Sequence, residues 1–259
     1  MRYRGDVMKT GICIEGGGAK GAYEAGIIKA LYDRGIKRYD YIAGTSIGSV
    51  TGYFLITGNV EKLVDMWKNI DCLGVDKVEN DGITVDNSPV INILNELSGE
   101  IDKDSELYVN YVKIDGCKMN EVVEEVSHMN KEDMIERIKY SSLLPFNPDR
   151  SMKFRDRFAL DLQKGIYDGY CLDGGLIRGL MLDPVFDKNP DRIVIISTKD
   201  DFEVPEELRD KHKNTEIIVV KPEQKFDPKA TLYFEKNFCN RIFEEGYRLG
   251  MQAADRHGI

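Results

Sequence analysis

The chain lacks any apolar run approaching the ~18–20 residues of a membrane-spanning helix. Its first ten residues, which include Arg2, Arg4 and Asp6, contain no apolar core of the kind a secretory signal needs. A cytoplasmic location is the expectation, with signal-less export compatible with it. Cysteine is sparse: the five residues Cys13, Cys72, Cys117, Cys171 and Cys239 form no C-x-x-C pair, and their number is odd. That pattern argues against a disulfide framework and a structural zinc site. Cys13 and Cys171 stand in apolar contexts and read as small buried hydrophobes. Histidine occurs three times, without an H-E-x-x-H motif, and no calcium-loop pattern is present. Neither a metal nor a cofactor is expected. Positive charge is in deficit, with 36 Lys and Arg against 45 Asp and Glu and a net charge of −9. This balance argues against a nucleic-acid partner and gives no general attraction to anionic membranes. A local basic cluster, Arg150, Lys153, Arg155 and Arg157, reads first as a solvated face.

Linkers rich in Gly, Ser or Pro are absent too, as are internal repeats. One domain over 1–259 is therefore expected, with 1–9 as a flexible N-terminus and regular structure from about Gly11. Short apolar, β-branched runs at 11–15, 39–43, 107–114, 170–172, 192–197 and 216–220 read as strands. Segment 120–126 is a hairpin neighbour of 107–114, with Asp115-Gly116 in the turn. Helical spacing marks 22–32, 47–57, 60–70, 89–97 and 131–141. A long helix is expected over 229–254, broken near Gly246 or Gly250. The stretch 73–82 reads as a loop. From 148 to 169 charge and aromatics mix without a clear period, and an irregular excursion is expected. Strands alternating with helices imply an α/β fold, with a mainly parallel sheet covered on both faces.

Three motifs read as chemistry. The first is Gly16-Gly17-Gly18-Ala19-Lys20-Gly21, where a strand breaks into bare backbone and then turns into a helix. Glycine amides and a helix N-terminus together suit an anion, either a bound phosphate or a charge that develops during a reaction. Lys20 adds positive charge or closes the loop onto the helix. The second is Gly44-Thr45-Ser46-Ile47-Gly48, a G-x-S-x-G pattern between a strand and a helix. In that context Gly44 and Gly48 permit a strained elbow that presents Ser46 as a nucleophile; an ordinary βα turn is the alternative. The third is Asp173-Gly174-Gly175 at a strand end, where ligand and catalytic groups gather in open α/β sheets; taken alone, Asp-Gly-Gly reads first as a turn. Asp173 can act as a base on Ser46 if the two lie within hydrogen-bond reach. Asp168-Gly169 competes but follows no apolar strand and reads as a turn. His128, His212 and His257 all read as surface residues, which makes a histidine-based triad unconvincing.

The glycine loop also satisfies G-x-G-x-x-G, so binding of NAD(P) or another nucleotide is a rival reading. That fingerprint needs an acid at the end of the second strand. Asp40 begins that strand, and the strand ends in the serine elbow instead. The P-loop reading fails, because no Lys followed by Ser or Thr comes after Gly21.

Taken in order, these motifs resemble those of the patatin-like phospholipases, which pair a G-G-G-x-[KR]-G loop with a G-x-S-x-G elbow and a later Asp-Gly-[Gly/Ala]. Gly21-Ala22-Tyr23-Glu24-Ala25-Gly26 and Ser141-Ser142-Leu143-Leu144-Pro145 add to the likeness, which covers about 11–185. The resemblance implies a three-layer α/β/α fold and a Ser46–Asp173 dyad. It also implies an oxyanion hole of Gly16, Gly17 and Gly18, and calcium-independent release of fatty acid from lipid esters through an acyl-enzyme. Its implied partner is a lipid ester, with transient membrane-surface contact. A family member that keeps the scaffold only to bind lipid is the other alternative. The family's Asn-Asn-x-Pro after the Asp-Gly-Gly is replaced here by Leu176-Ile177-Arg178-Gly179. Segment 148–169 appears long for the family, and its Met152, Phe154, Phe158 and Leu160 interleave with basic residues. It is read as a lid or lipid-facing surface, or as a folded surface excursion.

Overall fold

The computed structural model describes residues 8–73, 82–147 and 151–259. Segments 1–7 and 148–150, with Arg150, and most of the loop-like stretch 73–82 fall outside them. Seven strands form one sheet: β1 (Thr10–Ile14), β2 (Tyr41–Thr45), β3 (Glu106–Asp115), β4 (Lys118–Glu125), β5 (Cys171–Asp173), β6 (Arg192–Ile196) and β7 (Glu216–Val220). Their order is β4-β3-β2-β1-β6-β7, with β5 paired to β3. The pairs β1–β2, β1–β6, β2–β3 and β6–β7 are parallel; β3–β4 and β3–β5 are antiparallel.

The central strands are largely apolar because both faces of the sheet are covered. Ile12, Ile14, Ile42, Val194 and Ile196 point into the larger core, shared with α1 (Gly21–Asp33), α2 (Ile47–Ile56), α3 (Val60–Lys68), α4 (Ser88–Glu96), α5 (Lys131–Ser141) and α9 (Lys236–His257). Cys13, Ala43, Ile193 and Ile195 point the other way, onto α7 (Asp183–Phe186) and residues around α8 (Glu206–Lys211). Cys13 is the small buried hydrophobe its context implied, whereas Cys171, at the start of β5, is only half-buried. Among the described residues no helix is long and apolar enough to cross a membrane.

Two expectations are corrected. The stretch 148–169 is not wholly irregular: α6 spans Phe154–Gln163. Its inner side chains Phe158 and Leu162, with the following Tyr167, pack on Val112, Ile114 and Leu172. Lys153 and Arg155 are exposed beside it, and Arg157 pairs with Asp161. The long C-terminal helix runs unbroken through Gly246 and Gly250, and 228–232 is a separate 3-10 turn. The glycines mark where α9 lies against α1, since a Cβ at Gly246 would stand 2.1 Å from the Tyr23 carbonyl oxygen.

Candidate active site

Strand β3 brings the site together. Its Asn110 is the register partner of Thr45 at the end of β2, and its next residue, Tyr111, is the partner of Asp173 at the end of β5. Two strands far apart in sequence thus end against neighbouring residues of a third.

Ser46 follows β2 and precedes α2, with φ 56° and ψ −124°. Positive φ is costly for a residue with a Cβ and marks a strained elbow. The turn depends on its flanking glycines: a Cβ on Gly44 would lie 2.2 Å from the Gly48 carbonyl oxygen. Ser46 Oγ donates to Asp173 Oδ2 at 2.6 Å. The other oxygen of Asp173 accepts the Gly175 N–H at 2.7 Å, and Gly174 lies against the Asn110 side chain. Both Ser46 and Asp173 are buried. Burial pushes the Asp173 carboxyl up to about 6, and the hydrogen bonds from Ser46 and Gly175 pull in the opposite direction.

The glycine loop lies directly beside the elbow, with Gly16 close against the Ser46 Cβ. Its base is Glu15, a buried carboxylate that accepts from Ser197 Oγ at 2.7 Å and Thr198 N at 2.8 Å and pairs with Lys199. The Gly16 N–H donates to the Gly179 carbonyl at 2.8 Å. It is therefore engaged within the fold, whereas the N–H groups of Gly17 and Gly18 have no acceptor among the described residues. Gly18 has φ +56° and packs on Thr231. Lys20 Nζ folds back beside Gly17 and donates to Thr198 Oγ1 at 3.3 Å; burial holds its pKa below the usual lysine value.

A cleft of about 520 Å³, counting its open mouth, runs from Ser46 and Gly18 between Ile47, Val50, Val90, Leu144 and Phe234. Leu232 and Asp86 stand on its rim, and both are exposed. The walls are mostly apolar, with Ser46, Asn87, Ser142 and Thr231 among the polar side chains that also line the cleft.

Other candidates fall away from this cleft. Asp168 Oδ1 accepts the Gly116 N–H at 2.7 Å, the turn role expected of it. Asp40 is tied to Lys9 Nζ at 2.7 Å and to the Thr10 N–H at 2.8 Å, so the acid nearest the dinucleotide pattern serves the fold. His128 and His257 are partnered by Glu125 and Glu216 at the surface. His212 is not a surface residue: it is buried, its ring 5.1 Å from that of Phe186. None of the three lines the cleft. Sequence reasoning assigned no role to Asn110 or Gly179, because neither lies in a motif and only the sheet register shows their place. Among the described residues no group of three or more His, Cys, Asp or Glu is arranged to hold a metal.

Residues 12–72 match the profile of the family described as patatin-like phospholipase. Over that segment the chain is similar to the patatin-like phospholipases. The matched segment holds most of β1, the glycine loop and the serine elbow, and ends well before Asp173. No curated protein sequence matches. Among solved structures, VipD from Legionella pneumophila is similar with 16% identity and a TM-score of 0.50, over 96% of this chain and 67% of that one. The type III effector ExoU of Pseudomonas aeruginosa is similar with 12% identity and a TM-score of 0.50, over 96% of this chain and 53% of that one. The chain thus spans about half the length of ExoU. At these identities the likeness is one of fold: a mixed α/β architecture with a mostly parallel sheet flanked by helices.

Proposed function

We propose that this chain is a serine hydrolase of fatty-acyl esters, of the phospholipase A or lysophospholipase type, working with Ser46 and Asp173. The observation that carries the reading is the 2.6 Å hydrogen bond between the oxygen of a strained elbow serine and a buried carboxylate. In the proposed cycle ionised Asp173 takes the Ser46 proton as Oγ attacks the ester carbonyl carbon. The tetrahedral oxyanion is received by the Gly17 and Gly18 N–H groups, donors of a kind worth ~3–4 kcal/mol each. Gly16 contributes through its bond to Gly179, which holds the loop in place, rather than as a donor. Asp173 then returns the proton to the leaving alcohol, and the acyl group stays on Ser46. A water deprotonated by Asp173 cleaves that ester and frees the fatty acid. A carboxyl lifted to about 6 suits both directions of transfer near neutral pH.

The apolar cleft receives the acyl chain, and the substrate comes from a lipid surface with which contact is transient. Labelling by a fluorophosphonate probe tests the reading. Ser46 becomes modified, and Ser46→Ala removes both labelling and ester hydrolysis. Hydrolysis that survives in Ser46→Ala would overturn it. NAD(P)-dependent thermal stabilisation of a protein that the probe does not label would favour the nucleotide alternative.

A further inference from the structure

We propose that Ser141 is a positioning residue for this reaction, its hydroxyl holding the Ser46 amide and thereby fixing the nucleophile's reach to Asp173. The inference rests on the reading of Ser46 and Asp173 as the reacting pair, and assigns a role to the Ser141-Ser142-Leu143-Leu144-Pro145 stretch.

Ser141 ends α5, on the face that also carries Met134, Ile135 and Ile138. All four are buried, and Ser141 is fully so. A hydroxyl at a core-facing position needs a polar partner, because an unpaired one is costly to bury. The partner is the backbone of the nucleophile: Ser46 N–H donates to Ser141 Oγ at 2.9 Å. An elbow creates the need for such an acceptor, since Ser46 has left β2 and stands at the cap of α2, where its N–H has no place in the helix ladder. On the other side, the Ser46 carbonyl accepts from Ser49 N at 2.9 Å and Ser49 Oγ at 2.6 Å. With both peptide groups held, the main freedom left to Ser46 is rotation of its side chain.

The same stretch holds the acid. Two residues after Ser141, the Leu143 carbonyl accepts the Asp173 N–H at 2.8 Å. Segment 141–143 therefore grips the backbone of both members of the pair. It is in turn fastened to the cleft wall. Asn87 Nδ2 donates to Ser142 Oγ at 2.9 Å, and Val85 N–H donates to the Leu144 carbonyl at 2.8 Å. Val85 and Asn87 line the cleft that Ser46 closes at one end. The wall against which an acyl chain lies is thus hydrogen-bonded to the segment that sets the spacing of the reacting groups.

The test compares wild type with Ser141→Ala and with the isosteric pair Ser141→Thr and Ser141→Val, using a soluble ester and the fluorophosphonate probe. Displacement of reacting atoms by about 1 Å costs on the order of 100-fold in rate. Ser141→Ala and Ser141→Val are expected to lose about 10–100-fold in kcat and in labelling rate with KM within about twofold, and Ser141→Thr to recover most of the loss. The acid limb of the pH profile moves upward in Ala and Val, because a weakened Ser46 bond no longer lowers the Asp173 pKa. A purely structural role would leave that limb in place. Amide hydrogen exchange on the wild-type protein supplies a reading independent of any variant's folding: the Ser46 amide is expected among the protected ones. Wild-type kcat and pH profile in folded Ser141→Val, or fast exchange at Ser46, would overturn the assignment while leaving the Ser46 reading intact. Activity in Ser46→Ala would instead remove the reading beneath it.

Discussion

Replacing Asp173 with Asn should abolish hydrolysis and, at the same time, make the protein more stable at neutral pH. Asp173 is buried, and burial raises its carboxyl from 3.8 to about 6 despite two hydrogen bonds to it. The folded state thus holds this proton to a higher pH than the unfolded state does. Stability contributed by the neutral carboxyl is present below the unfolded value, declines as pH rises from about 4 to about 6, and is gone above that. At ~1.4 kcal/mol per pKa unit the loss amounts to about 3 kcal/mol. Asparagine does not titrate and keeps an oxygen for the Gly175 N–H, so Asp173→Asn escapes this decline. Urea unfolding of both proteins between pH 4 and pH 7.5 measures it. The two curves should lie close together at pH 4 and separate to about 3 kcal/mol at pH 7 in favour of the variant, because the other titrating groups cancel in the difference. The wild-type kcat/KM should fall below an acid limb near pH 6. Equal stability of the two proteins at pH 7, or a variant that is less stable there, would refute the account of Asp173 as a desolvated base.

Gly18→Ala should destabilise the fold by at least about 2 kcal/mol in urea and depress kcat, since Gly18 combines φ +56° with a Cβ position 2.1 Å from the Thr231 carbonyl oxygen; unchanged urea stability would contradict the packing of the loop. Glu24→Gln should raise the Tm at pH 8 by more than at pH 5. Glu24 is wholly buried with neither carboxyl oxygen partnered among the described residues, and burial and then Glu15 push its pKa well up, so its ionisation works against the fold as pH rises. A Tm gap that does not widen with pH would count against that. Phe154→Asp, on the exposed side of α6, should reduce co-sedimentation with liposomes while leaving hydrolysis of a soluble ester intact; unchanged sedimentation would show that α6 is not the lipid-facing surface.

Much of the site is legible in the sequence because glycine and serine must stand in a fixed local order to build it. Gly44 and Gly48 flank a turn that no Cβ at Gly44 would allow. Asp173 is marked by the short apolar strand before it. That the Gly16 amide is engaged within the fold was not legible, because its partner, Gly179, is remote in sequence. Helix α6 escaped detection because its buried side chains are few and its exposed side mixes Phe154 and Leu160 with Arg155 and Asp156, which blurs the helical period. In α9, Gly246 and Gly250 looked like breaks; they are points where two helices touch, a tertiary reason that overrides local propensity. His212 sits in a charged run yet is buried, because the ring packs on Phe186 while its lysine neighbours remain exposed.

The meeting of β2 and β5 on consecutive residues of β3 also sets when the proposed Ser46–Asp173 pair can form. Ser46 and Asp173 are separated by 127 positions in the chain, and most of the sheet's middle must be in place before they face each other. As the polypeptide is synthesised from its N-terminus, the serine, the glycine loop and β3 emerge long before the aspartate. Until β5 docks, Ser46 lacks the carboxylate that the proposed mechanism makes its base. On the proposed reading, esterase activity would report completed folding rather than the presence of the elbow alone.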